Sequence, residues 1–102
     1  MTVMELTKEN FDLARNSDKK VLLDLYADWS GPCRMESPIV DEIAKENPQY
    51  FVGKINVDNE QALAEEFEVF SIPTLVVMQN GKIIASEAGA RPKPLILAML
   101  ED

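Results

Sequence analysis

The run Val21-Leu22-Leu23-Asp24-Leu25-Tyr26-Ala27-Asp28-Trp29-Ser30-Gly31-Pro32-Cys33 decides how the chain is read. Val21 to Ala27 is apolar but for one carboxylate, as expected of a strand buried on both faces. Further on, Pro32 is placed to open a helix, where its missing N–H is no loss and its φ is already helical. Beyond it Ile39, Val40, Ile43 and Ala44 recur three and four apart, the period of a buried helical stripe. Pro38 lies inside that stripe and predicts a kink; Asn47-Pro48 ends it. Trp29 to Cys33 therefore sits at a strand-to-helix junction.

Strand and helix alternate outward from there. Thr7 reads as the N-cap of a helix over about 8–16, closed by Asn16-Ser17-Asp18, with a short strand at Val3 to Leu6 ahead of it. Phe51 to Val57 is a second long strand, and Asn59 reads as the cap of a short helix carrying Ala62, Leu63, Glu66 and Phe67. Thr74 to Met78 is a third, joined by the hairpin signal Asn80-Gly81 to a fourth, Lys82 to Ala85. Gly89 and Pro92 turn the chain into a last helix with Leu95, Ile96, Ala98, Met99 and Leu100. Such alternation, ending in a hairpin, implies an α/β fold: a mixed sheet with helices on both faces.

At 102 residues the chain has room for one domain, 1–102, and no second core. Its net charge of −8 repels phosphate backbones and argues against nucleic-acid or anionic-membrane partners. Apolar runs are too short to span a membrane, and no secretory prefix is expected. The absence of histidine removes the commonest general base and zinc ligand, and no carboxylate loop suggests another metal. A single cysteine cannot form an intramolecular disulfide, which suits a reducing, cytoplasmic setting. Without a G-x-G-x-x-G or P-loop, no nucleotide cofactor is expected. Glu65, Glu66 and Glu68 read as a solvated helix face, and Met35, Met78 and Met99 as core packing.

Chemistry concentrates at the junction. Helix N-terminal N–H groups and the helix dipole stabilise an anion, here the thiolate of Cys33. A lone cysteine is more often a small core residue. The flanking Gly31-Pro32 and Trp29 at a loop tip, rather than in a periodic stripe, favour a functional site with a contact surface. Asp24 has apolar neighbours on both sides, so it is expected to be buried, with desolvation raising its pKa.

The pieces together resemble the thioredoxin family over nearly the whole chain. The family signature is Trp-Cys-Gly-Pro-Cys after a strand; this chain has Trp29-Ser30-Gly31-Pro32-Cys33, followed by Arg34-Met35 and Pro38. Asp24, Lys54 within Gly53 to Asp58, Ile72-Pro73-Thr74, Asn80-Gly81 and Gly89-Ala90 follow in family order and spacing. The resemblance implies a central mixed five-stranded sheet in the order 1-3-2-4-5 flanked by four helices. It implies a protein-disulfide oxidoreductase, a monomer that passes electrons from a flavin-dependent thioredoxin reductase to client disulfides. Cys33 would be the resolving thiol, the less exposed one in the family; Asp24 would be its proton donor and acceptor, and Lys54 the electrostatic partner of Asp24. The bond before Pro73 would be cis. Backbone near Ser71 and Ile72 would pair with an extended client, and Trp29, Ile72, Pro73, Gly89 and Ala90 would form a flat, mostly apolar rim around Cys33.

The departure is Ser30, which stands where the family has its nucleophilic cysteine. Disulfide reduction needs one thiolate to attack and a second to resolve. A serine hydroxyl is not ionised near neutral pH, and no histidine is present to activate it. The chain as written is therefore expected not to turn over. Two readings follow: a working thioredoxin carrying an engineered Cys→Ser substitution, or a natural monothiol or non-catalytic binding module. Asp24 favours the first, because a domain without thiol chemistry has no need to bury a carboxylate at a cost of about 1–3 kcal/mol.

Overall fold

The computed structural model describes residues 3–101. In chain order the elements are β1 (Met4–Glu5), α1 (Asp12–Arg15), β2 (Lys20–Tyr26), α2 (Gly31–Glu46), β3 (Tyr50–Asn56), α3 (Gln61–Glu66), β4 (Thr74–Gln79), β5 (Lys82–Ala88) and α4 (Lys93–Glu101). The five strands form one sheet in the order β1-β3-β2-β4-β5. β3 runs parallel to β1 and β2, β4 antiparallel to β2, and β5 antiparallel to β4. This is the mixed sheet with four helices that the sequence implied.

β2 lies at the centre, and Val21 to Leu25 are all buried. Successive side chains on a strand point to opposite faces. Val21, Leu23 and Leu25 accordingly pack with Phe11, Ala14, Leu63 and Phe67 from the α1 and α3 side. Leu22 instead packs with Val40, Ile43, Ile96 and Leu100 from α2 and α4. Asp24 shares the parity of Leu22, so it points into the layer that holds α2.

Several boundaries differ from the sequence reading. α1 starts at Asp12 rather than after Thr7: Thr7 to Asn10 close a turn of their own ahead of it, with the Asn10 N–H donating to the Thr7 carbonyl at 3.1 Å and the Thr7 N–H to the Asn10 side chain at 2.7 Å. Glu60, not Asn59, is the residue before α3, and no side chain caps it. α2 continues through Pro38 to Glu46, with Asn47 as its C-cap. β5 extends to Ala88 and β1 shrinks to two residues. The β4–β5 turn is made by Asn80 and Gly81, with φ of 54° and 78°, the left-handed pair a two-residue hairpin needs.

Met35 is not a core residue: it is 75% exposed. On α2 the inward positions are Cys33, Glu36 and Val40, and Met35 is turned away from all three at 100° per residue. Met78 is buried, and Met99 is partly buried against the α2–α4 layer. Glu65, Glu66 and Glu68 are exposed, with Glu66 paired to Arg15 at 2.7 Å.

Candidate active site

Ser30 has extended backbone, φ −89° and ψ 121°, and serves as the N-cap of α2. Its Oγ accepts the N–H of Cys33 at 3.3 Å, and its carbonyl accepts the N–H of Arg34 at 3.1 Å. One of the orphan donors of the helix start is thus satisfied by the Ser30 side chain. Ser30→Ala should lower stability by about 1 kcal/mol, the usual worth of such a cap, read as a lower urea midpoint at unchanged m-value. Ser30 and Cys33 are both buried, at 5% and 3% exposure. Gly31 and Pro32 form the first turn between them.

Asp24 is 1% exposed, and its Oδ1 has no hydrogen-bond partner. Burial pushes its pKa up to about 7; the Glu36 carboxylate adds to the rise, Lys54 opposes it, and Asp41 and Glu5 add smaller upward pushes. A carboxyl in this state can take up or release a proton at neutral pH. Lys54 is level with Asp24 across the β2–β3 ladder and acts on it through space. Its ammonium, however, is committed elsewhere, to Asp41 at 2.9 Å and to the Ser37 hydroxyl at 2.5 Å.

Three loops surround the start of α2. Trp29 is 69% exposed, and its Nε1–H donates to Asp58 at 2.9 Å, which fixes the ring at the end of β3. The Ile72–Pro73 bond is cis. Ser71 is exposed and Ile72 half-buried, while Pro73 is buried and lends no outer surface to the rim. The Ser71 carbonyl accepts the Thr74 hydroxyl at 2.6 Å. The Pro73 carbonyl accepts the Gly89 N–H at 2.7 Å, so two of the loops are tied together. Gly89 has φ +95°, which a side chain would strain, and Ala90 beyond it is exposed.

Sequence reasoning missed four residues here. Asp58 positions Trp29, and Phe70, 95% exposed, extends the apolar surface one residue before Ser71. Glu36 is 1% exposed, and its Oε2 accepts the backbone N–H of Arg91 at 2.8 Å. Glu36 was detectable: it lies three residues after Cys33 and four before Val40, a charged residue on an otherwise inward face. Asp58, Phe70 and Arg91 carry no local signal. Among the described residues, no three or more acidic, Cys or His side chains group as metal ligands, and no helix is long and apolar enough to cross a membrane.

Comparison with known proteins is consistent across sequence and structure. A family model described as Thioredoxin matches residues 2–102. A thioredoxin of Haemophilus influenzae is 42% identical over 97 residues, 89% of this chain and 87% of that protein. A bifunctional thioredoxin reductase/thioredoxin of Mycobacterium leprae is 42% identical over 88 residues, 85% of this chain and 19% of that protein. A similar fold is found in a structural study of thiol resolution in yeast mitochondrial 1-Cys peroxiredoxin via glutathione/thioredoxin systems. That chain superposes with a TM-score of 0.85 at 30% identity, covering 95% of this chain and 92% of its own.

Proposed function

The chain belongs to the thioredoxin family, and on that premise we propose that it is the docking and proton-handling frame of a protein-disulfide oxidoreductase whose attacking thiol is replaced by Ser30. The observation that carries this reading is Asp24. It is an unpaired buried carboxyl, on the sheet face covered by α2, that exchanges its proton near pH 7. Its role is to take the proton from Cys33 when that thiol resolves a mixed disulfide and to return it on reduction, with Lys54 biasing the exchange. Without an attacker at position 30 the cycle cannot begin, so the chain binds but does not turn over.

Trp29, Ser71, Ile72, Gly89 and Ala90 form the docking surface, with Pro73 supporting it from beneath. Its partners are a flavin-dependent thioredoxin reductase and disulfide-bearing client proteins. A relative that carries reductase and thioredoxin in one polypeptide supports the first of these. The domain works as a monomer, needs no cofactor of its own, and acts in the cytoplasm, where a protein without a structural disulfide loses nothing. Ser30 is an engineered replacement of cysteine on this reading.

One observation favours the alternative, a natural monothiol or binding module. Ser30 is structurally at home, since its hydroxyl caps α2. Titration calorimetry against the cognate reductase separates the two. A carrier lacking its nucleophile should bind weakly and reversibly, and Trp29→Ala should weaken it by about 1–3 kcal/mol, the worth of a central aromatic anchor. Tight binding indifferent to Trp29→Ala would place the interface elsewhere and favour a scaffold or regulatory module.

A further inference from the structure

Glutamate is almost never fully buried unless paired, because an ionised carboxylate loses several kcal/mol of hydration in the interior. Glu36 is 1% exposed on the face of α2 that also presents Cys33 and Val40. Its one hydrogen bond is from the backbone N–H of Arg91, 55 residues away in the chain, and its Oε1 is buried with no partner. The Arg91 guanidinium does not supply one: its Nη2 donates to Glu87 at 2.7 Å, and its Nε is itself buried and unpartnered.

Arg91 follows Gly89-Ala90. The Gly89 N–H is held by the Pro73 carbonyl, and the Arg91 N–H by Glu36. Ala90, exposed between them, is therefore pinned on one side to the cis-proline loop and on the other to the helix that carries Cys33. Packing does not do this alone, since a groove of about 240 Å³ remains between Met35, Glu36 and Ile39 of α2 and Ala90, Arg91 and Pro92. We propose that Glu36 is a positioning residue of the thiol site: its carboxyl clamps the Gly89–Arg91 loop onto the helix of Cys33 and adds a second buried carboxyl to the layer that holds Asp24.

The charges around this pair are few and specific. The charged groups that act on Asp24 of β2 are Glu36 and Asp41 of α2, Lys54 of β3 and Glu5 of β1. Glu36 faces Arg91, which is paired with Glu87 of β5. A carboxylate at Glu36 opposes the ionisation of the buried Asp24. The Glu36 charge is the largest influence on Asp24 after burial itself, and burial also raises the pKa of Glu36. Glu36 thus helps keep the Asp24 proton in place at neutral pH while fixing the surface above it.

The assignment rests on reading the region around Cys33 as a docking and proton-handling site. Its test needs no partner protein, so the two can fail separately. Carboxyl-carbon NMR titration of Asp24 and hydrogen exchange of the Arg91 amide are compared in the chain, in Glu36→Gln and in Glu36→Leu. Glu36→Gln keeps an acceptor for Arg91 but removes the charge. It should lower the Asp24 titration midpoint and leave Arg91 exchange slow. Glu36→Leu should lower the midpoint and also accelerate Arg91 exchange by about tenfold, the effect of one lost hydrogen bond to a charged group. An Asp24 midpoint unmoved by Glu36→Gln overturns the proposal, as does an Arg91 amide equally protected in all three. If Glu36→Leu does not fold, the Asp24 midpoint in Glu36→Gln still decides.

Discussion

Ser30→Cys should reduce insulin disulfides faster than the chain with Ser30, by roughly three orders of magnitude or more. Removing a covalent nucleophile typically costs at least that much. The introduced thiolate attacks one sulfur of the client disulfide and expels the other as a thiolate, forming a mixed disulfide. The Cys33 sulfur then attacks that bond, releases the reduced client and closes an internal disulfide, and two electrons from the reductase restore both thiols. Asp24, buried on the sheet face covered by α2 with its pKa pushed up to about 7, is proposed to hold the proton that Cys33 gives up. The gain carries a structural cost. A thiol is a poorer acceptor than a hydroxyl, so the Cys33 N–H loses much of its cap, and the active variant should be less stable by up to about 1 kcal/mol. A restored chain with no turnover, with reductase and reductant present, would sink the oxidoreductase reading.

Asp24→Asn should stabilise the fold by an amount that depends on pH. In the unfolded chain this carboxyl loses its proton near 3.8, whereas in the folded protein it holds it to about 7. Between those values the native state binds a proton that the unfolded state has released. The parent therefore loses stability as pH rises through this window, by up to about 1.4 kcal/mol per unit. Well below pH 4 both states are protonated and the carboxyl contributes no penalty; above about pH 8 the penalty is complete, about 4 kcal/mol. Asparagine does not titrate, so its advantage over the parent should be small near pH 4 and largest near pH 8. Glu36, whose pKa burial also raises, adds a slope of the same sign, but it is present in both proteins. Denaturant melts of both across that range measure the difference. A difference independent of pH would show that Asp24 does not hold its proton through burial.

Much of this architecture is legible in local patterns. The apolar run at β2 and the three- and four-residue spacing in α2 reflect which faces are buried, and the elements formed where those periods place them. Asn80-Gly81 adopts the left-handed turn its residue types favour. Element ends are less readable because caps compete with local turns. Thr7 is a sound N-cap type, but the chain from Thr7 to Asn10 closes a turn of its own, and the helix starts later. Met35 reads as apolar and therefore internal, yet its angular position on α2 turns it outward, where it is 75% exposed.

The residue types themselves are fixed by the sequence: one thiol, no histidine, and a serine where the family has its first cysteine. Those are statements of composition and local order, and no fold could reverse them. The partners of the site are another matter. Trp29 is held by Asp58, 29 residues away, and Glu36 by the backbone of Arg91, 55 residues away. Lys54 is level with Asp24 across a strand ladder but takes its ion pair from Asp41 on the helix above. Each of these contacts exists because the sheet order brings separate loops to one end of β2 and packs α2 over it. Periodicity encodes which face of an element is buried, but not which distant backbone group a buried carboxylate will meet there.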